Sequence, residues 1–350
     1  GISTFKFLKK RADVHLFDDN QKTNLKIVTI NQVIKTKFDR IIISPGIDIS
    51  NCKLSKFLNK NLDKIYTDLD VFYSFYKNTS IAITGTNGKS TTAKILFDIL
   101  TDQKKDVRLI GNIGNPALSE KKISKKTFFV IEVSSYQLEY SKIFSAKYAV
   151  ILNISVDHIE RHKNLTNYVN AKFKLLGSQN NKSFAFVKKN DQLINKKIRK
   201  NKFKPKIYKV DTLNMNKLSN QLNNKYFISD GNKENLSFIL KIASKLKLNK
   251  TKLFKKLNNF KGLKYRQQII FDNKNLTIIN DSKSTSFASS ENILKNFNDI
   301  YWILGGIPKK GDKFKLSKKK CRNFKVFIFG NYHKQFIRIL RNKIKIKKFK

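Results

Sequence analysis

A nine-residue stretch, Thr84-Gly85-Thr86-Asn87-Gly88-Lys89-Ser90-Thr91-Thr92, follows the apolar run Ser80-Ile81-Ala82-Ile83 and leads into a helical pattern through Lys94 to Leu100. No other feature constrains the fold as much. Glycines let backbone N–H groups turn toward phosphate oxygens, a helix N-terminus favours an anion, and Lys89 can reach terminal phosphates. Ser90 or Thr91 offers a hydroxyl to Mg²⁺. The full Walker spacing is not met, because Ile83 stands where its first glycine would fall. Strand, glycine loop and helix in this order still predict an α/β domain whose loop, Gly85 to Thr91, binds the phosphates of ATP.

Apolar runs at Phe128 to Val133 and Tyr148 to Asn153, with helical stretches between them, continue the alternation of a doubly wound sheet. Upstream, Val14 to Phe17 ends in Asp18-Asp19, and Arg40 to Ser44 ends in Ser44-Pro45-Gly46. Both read as buried parallel strands with polar loops at their C-terminal ends. Gly1-Ile2-Ser3, before a helix-like Thr4 to Lys10, reads as the tail of a glycine-rich turn, and the chain reads as truncated at both ends. Lys182 to Tyr226 is rich in Lys and Asn, with short strand-like pieces and no motif. Helices are expected over Lys233 to Leu246, Lys252 to Phe260 and Ala288 to Phe297, and strands over Leu276 to Ile279, Tyr301 to Leu304 and Lys325 to Phe329. The expected organisation is three α/β domains: a Rossmann-like N-terminal domain over 1–78, a P-loop-type central ATPase domain over 79–262, and a Rossmann-like C-terminal domain over 263–350.

Charge bears on the partners. The 350 residues hold 73 Lys+Arg against 25 Asp+Glu, a formal net charge of +48. Only nine of the cations are arginine and the lysines run along the whole chain, so no nucleic-acid partner is expected; attraction of anionic small substrates is. Hydrophobic residues make up 40%, enough for real cores. With no apolar run long enough to span a membrane and no secretory pattern, a cytoplasmic protein is expected. Cys52 and Cys321 are far apart, in no metal-ligand spacing, and read as packing residues.

One further residue stands where chemistry is expected, and two others, read alone, are a loop histidine and a solvated lysine. Glu132 ends an apolar strand on the phosphate loop's side of the sheet, where a carboxylate can complete Mg²⁺ coordination. His158 follows the next strand, after Asp157. Lys172 lies 14 residues further on, in the helix-like Tyr168-Val169-Asn170-Ala171-Lys172-Phe173. An acidic residue at Asp18 or Asp19 also fits a dinucleotide ribose, but nothing downstream supplies hydride chemistry.

The loop Gly85 to Thr91 resembles that of the Mur ligases and their folylpolyglutamate synthase relatives. Four more segments match in order and spacing: Gly111-Asn112-Ile113-Gly114-Asn115-Pro116-Ala117-Leu118, Ile131-Glu132-Val133-Ser134-Ser135-Tyr136-Gln137-Leu138-Glu139, Asn153 to His162, and Ile279-Asn280-Asp281-Ser282-Lys283-Ser284-Thr285. They point to the branch that adds D-glutamate to UDP-N-acetylmuramoyl-L-alanine, with the resemblance running from the first residue to about Phe329.

That resemblance implies an ATP-dependent amide ligase of peptidoglycan precursor synthesis, and so of cell-wall biogenesis and division. It implies ATP, two Mg²⁺ ions and CO₂ as a carbamate on Lys172, with Ser90, Glu132, His158 and the carbamylated lysine as metal ligands. Lys89, Lys172, His158 and Arg266 become the catalytic set. Asn232, Asn235, Arg266 and Asp281 join Gly85, Thr86, Asn87, Gly88, Lys89, Ser90 and Thr91 around ATP. The substrate side takes Asp18, Asp19, Ser44, Pro45, Gly46, Asn112, Ser134, Gln137, Lys283, Thr285 and Lys309. A monomer is implied. The sequence departs from the family's pattern at Gly231, Tyr265 and Ile307-Pro308. Another Mur-type or folylpolyglutamate-type ligase, or a catalytically silent ATP-binding fragment, is the alternative. From the truncation, the chain is expected to bind ATP with Mg²⁺ and to ligate poorly.

Overall fold

The computed structural model describes residues 1–19, 24–212, 222–308 and 311–348, with the backbone alone for 347 and 348. The chain divides into two compact units, Gly1–Asn214 with Ser237–Leu253, and Met215–Leu236 with Phe254–Lys350.

The first unit begins with a small parallel pair, Ile41–Ile43 (β1) and Ile65–Thr67 (β2), over a core of Val33, Ile43, Ile49, Leu54, Leu58 and Ile65. The strand expected at Val14 to Phe17 joins no ladder. β1 is paired to β2, and the Leu16 carbonyl instead accepts the Val28 N–H at 2.8 Å, just ahead of the Ile30–Lys35 helix. The N-terminal helix is Ile2–Leu8, two residues earlier than the sequence pattern suggests.

The larger sheet of this unit is parallel throughout. Its strands are Ser80–Thr84 (β3), Val107–Gly111 (β4), Phe128–Glu132 (β5), Tyr148–Ile151 (β6), Phe184–Lys188 (β7) and Lys206–Val210 (β8), in the order β4-β5-β3-β6-β7-β8. Ile81, Ala82 and Ile83 are fully buried, as are Ala149, Val150 and Ile151, because helices cover both faces. Each fully buried Ile or Val contributes about 1.5–3 kcal/mol. β7 and β8, with the intervening Gln192–Lys200 helix, come from the Lys/Asn-rich stretch that carries no motif. From β3 the chain crosses to the edge strand β4, returns to β5 beside β3, and then passes to β6 on the other side and outward through β7 to β8. The order therefore switches beside β3, and the carboxyl ends of β3, β5 and β6 face the crevice where such sheets bind ligands.

Asp70 fastens 67–70 to the loop 141–144. Its carboxylate accepts from Thr67 N and Oγ1, Ser141 Oγ, and the backbone N–H groups of Lys142, Ile143 and Phe144, between 2.9 and 3.2 Å.

The second unit holds an antiparallel pair, Gln268–Asp272 (β9) and Thr277–Asn280 (β10), with a register shift between Ile278 and Ile279. It also holds a parallel sheet, Ile300–Leu304 (β11), Phe324–Ile328 (β12) and Lys345–Lys348 (β13), in sequence order. Phe287, Leu294, Phe324, Val326, Ile328, Phe336 and Leu340 form its core, with Cys321 packed among them as expected. Both cysteines are free thiols, Cys52 half-buried. Among the described residues no helix is long and apolar enough to cross a membrane.

Candidate active site

β3 runs into the glycine loop, and Gly88, at φ 83°, turns the chain into the Lys89–Asp102 helix. Only glycine takes that left-handed value without strain. Lys89 Nζ folds back to donate to the carbonyls of Gly85 at 3.0 Å and Thr86 at 2.7 Å. From the β6 side, Asn153 receives the Thr86 N–H on its carbonyl and the Asn87 N–H on its Oδ1, both at 2.9 Å. Thr86 Oγ1 accepts from Ser155 N at 3.0 Å and shares a 3.0 Å hydrogen bond with the Tyr168 hydroxyl. The loop is thus held in place by protein groups, Asn87 being exposed and Thr86, Ser90 and Gly88 partly so.

Lys172 reaches the same loop from the Leu165–Gly177 helix. Its side chain is 1% exposed, and Nζ donates to Gly85 O at 2.8 Å, the acceptor that Lys89 also uses. Nζ lies 4.5 Å from the Tyr168 ring centroid. Burial first, and the neighbouring Lys89 ammonium second, hold the Lys172 pKa well below the ordinary value, against a smaller opposing pull from Asp157. Burial likewise pushes the Tyr168 phenol up to about 12.

Glu132 ends β5, in register with Ile83 of β3, and is buried. Asn112 Nδ2 donates to its Oε1 at 2.9 Å, while Oε2 is buried without a hydrogen-bond partner. Gly111 permits that approach: at φ 101°, a Cβ there would stand 2.3 Å from the Glu132 carbonyl oxygen. An orphaned carboxylate oxygen beside the glycine loop fits a hard divalent cation, which takes oxygen ligands.

His158 has left-handed backbone, φ 53°, at the head of the Ile159–His162 turn. Its Nδ1 lies 3.0 Å from Tyr136 Oη and its Nε2 3.3 Å from Asp157 Oδ2. Ser134 and Gln137 are occupied structurally: they form a reciprocal capping box at the start of the Ser135–Glu139 helix. The Ser44-Pro45-Gly46 loop follows β1 and turns on an Ile47 N–H bond to Ser44 O at 3.0 Å. Asp18 is exposed, and Asp19 Oδ1 lies 3.9 Å from Lys53 Nζ.

In the second unit, Gln267 gathers the predicted residues. Its Oε1 accepts from Asn232 Nδ2 at 2.8 Å, and its N–H donates to Asp281 Oδ1 at 3.0 Å. Asp281 also accepts from Ser284 Oγ at 2.6 Å, and burial raises its pKa. Arg266 precedes this hub with an exposed side chain, and Lys283 is tied by its N–H to Tyr265 O at 2.9 Å. Thr285 is exposed and Asn235 buried. Lys309 lies outside the described residues.

A family model describing the Mur ligase middle domain matches residues 83–249. A UDP-N-acetylmuramoylalanine--D-glutamate ligase from Rickettsia felis is 31% identical over 98% of this chain and 82% of its own length. The chain belongs to the Mur ligase family. Solved structures agree on the fold. MurF ligase from Thermotoga maritima, in complex with ADP, superposes with a TM-score of 0.58 at 14% identity, covering 84% of this chain and 82% of that one. MurC from the same organism gives 0.55 at 17% identity, over 89% and 77%.

For this Mur ligase, the sequence reading assigned no role to Asn153, Tyr168, Tyr136, Glu139, Arg161 or His162. Tyr168 was within reach, since it lies four residues before Lys172 and so on the same helix face. His162 was not. It is buried, with Nε2 3.0 Å from Ser135 Oγ, and burial lowers its pKa to about 4. Among the described residues, no three His, Cys, Asp or Glu side chains gather into a metal-binding group.

Proposed function

We propose that this Mur ligase uses ATP to join D-glutamate to UDP-N-acetylmuramoyl-L-alanine in peptidoglycan precursor synthesis. The relatives' name supplies the substrates; the shared Gly85 carbonyl carries the chemistry. Two lysines meet on that oxygen at the mouth of a helix, one half-exposed and one buried, with the unpartnered Glu132 oxygen on the adjoining strand.

In this reading the γ-phosphoryl group passes to the substrate carboxylate, giving an acyl phosphate and ADP. The D-glutamate amine then attacks the carbonyl carbon, the C–N bond forms, the bond to phosphate oxygen breaks, and the amine proton leaves to solvent. Little of this needs a protein nucleophile, so positioning and charge do the work. Lys89 would exchange its two carbonyl acceptors for phosphate oxygens, with loop N–H groups around them. Arg266 would steady charge on the transferred group. Asn232, Asn235 and Asp281 would take the nucleotide's base and ribose. Lys283, Thr285 and Lys309 would take the acyl group and incoming D-glutamate.

Ser90, Glu132, His158 and carbamylated Lys172 are the residues that would hold two Mg²⁺ ions, whose chemistry there is to neutralise phosphate charge. Carbamylation requires a neutral amine, and burial of Lys172 beside Lys89 shifts its pKa in that direction. Asp18, Asp19 and Ser44 to Gly46 would hold the UDP end, and Asn112, Ser134 and Gln137 the sugar and alanyl portion. The reading keeps a cytoplasmic monomer of three domains, 1–78, 79–262 and 263–350.

Incubation with ATP, Mg²⁺ and UDP-N-acetylmuramoyl-L-alanine, with D-glutamate, L-lysine, L-alanine or meso-diaminopimelate offered separately, tests it. A UDP-linked dipeptide product formed with D-glutamate and not the others is expected. Equal product with another amino acid, or ATP consumption without amide, overturns the assignment.

A further inference from the structure

The Ile159–His162 turn and the Ser135–Glu139 helix are bound into one block. Tyr136 Oη meets His158 Nδ1, and Ser135 Oγ meets His162 Nε2, each at 3.0 Å. Arg161 joins them a third time: its Nε and Nη2 contact Glu139 Oε2 at 2.9 and 2.8 Å.

The guanidinium does not stop at Glu139. Nη2 also donates to Ile47 O at 2.6 Å, and Nη1 lies 3.5 Å from Gly46 O, at the end of the Ser44-Pro45-Gly46 loop. Its central carbon lies 5.1 Å from the Tyr136 ring centroid and 5.8 Å from that of Tyr140. The side chain is 7% exposed and, with Asp48, Ser50 and Glu139, lines a cavity of about 280 Å³. A planar cation with donors in fixed directions can serve a carboxylate and backbone carbonyls together; an ammonium cannot hold that fork.

We propose that Arg161 is a positioning residue for the nucleotide-sugar substrate: it fixes the Ser44-Pro45-Gly46 loop by tying it to the turn that carries His158. This rests on the reading of that loop as part of the substrate site. A loop already held by a buried charge loses less freedom when the substrate arrives, so the benefit lies in substrate affinity. ATP meets the loop after β3, whose hydrogen bonds to Asn153, Ser155, Tyr168, Lys89 and Lys172 do not involve Arg161. A purely structural arginine would behave differently. Its loss would lower the folded fraction, and with it turnover and ATP-binding stoichiometry, while leaving KM unchanged.

The test uses Arg161→Lys, Arg161→Gln and Pro45→Gly in the whole chain, with calorimetric ATP titration and steady-state KM for UDP-N-acetylmuramoyl-L-alanine. Each arginine variant should raise that KM by about tenfold, with ATP affinity within about twofold of wild type. Adding Pro45→Gly to Arg161→Lys should raise KM no further than the larger single effect, because both loosen the same loop. An unchanged KM in the arginine variants, with KM raised by Pro45→Gly, overturns the positioning role and leaves the loop reading intact. An unchanged KM in all three removes the loop reading and the proposal with it. Should the arginine variants fail to fold, Glu139→Gln decides: it loosens the anchor and keeps the carbonyl bonds, so a several-fold rise in KM is expected and none overturns the role.

Discussion

The end of the six-stranded sheet and the Leu263–Thr285 region of the second unit present charge in opposite ways. At the sheet end two ionisable groups are sunk: Glu132 and Lys172 are buried, and the loop above them is hydrogen-bonded to Asn153, Ser155 and Tyr168. In the second unit Arg266, Lys283 and Thr285 are exposed, and the Arg266 and Lys283 N–H groups donate to Leu263 O and Tyr265 O, both at 2.9 Å. Buried charge shifts pKa values and ties function to stability, whereas exposed charge can be removed with little effect on the fold.

The largest effect expected from breaking the contrast comes from Lys89→Ala. It should lower ATP-dependent ligation by about 10³-fold or more while circular dichroism stays native, because the proposed mechanism brings this charge to phosphate. Retained ligation would detach the glycine loop from the reaction.

Lys172 tests whether burial sets function against stability. Lys172→Met should abolish ligation yet raise Tm by a few degrees, since a well-packed apolar chain replaces a buried amine. The folded pKa lies below the unfolded 10.5, so the native state binds fewer protons between those values and wild type gains stability as pH rises through that window. The methionine variant should lose that slope in thermal melts across pH. Lys172→Ala should recover part of its activity in acetate, a small carboxylate able to stand in for a carbamate.

On the exposed side, Arg266→Ala should reduce kcat about 10²-fold with Tm within about a degree of wild type. A Tm drop comparable to that of a core substitution would erase the distinction between the two regions.

The smallest effect sharpens the buried side. His162 titrates near 4 in the fold against an ordinary 6.5, so stability present above 6.5 is lost progressively as pH falls from 6.5 to 4. His162→Gln should flatten that part of the stability profile while keeping a polar contact with Ser135.

Local features were legible because they are written in contiguous residues. The strand–glycine–lysine–helix order placed the loop between β3 and the Lys89–Asp102 helix, and the apolar runs placed β3, β5, β6, β11 and β12 within a residue or two. β7 and β8 showed only as short strand-like pieces among lysines and asparagines, since periodicity over five residues is weak. Val14 to Phe17 erred the other way: an apolar run becomes a strand only when another strand meets it.

Residue types in a fixed order were enough to establish the α/β class, the strand–glycine loop–helix order and the family. Packing alone settled that Lys172 is buried on the Gly85 carbonyl with Lys89, that one Glu132 oxygen is left without a partner, and that Arg161 reaches the Gly46–Ile47 carbonyls from 114 and 115 residues away. Burial, orphaned polar atoms and long-range hydrogen bonds are properties of packed elements. They arise from which strands lie side by side and where the order switches, and no local spacing encodes that.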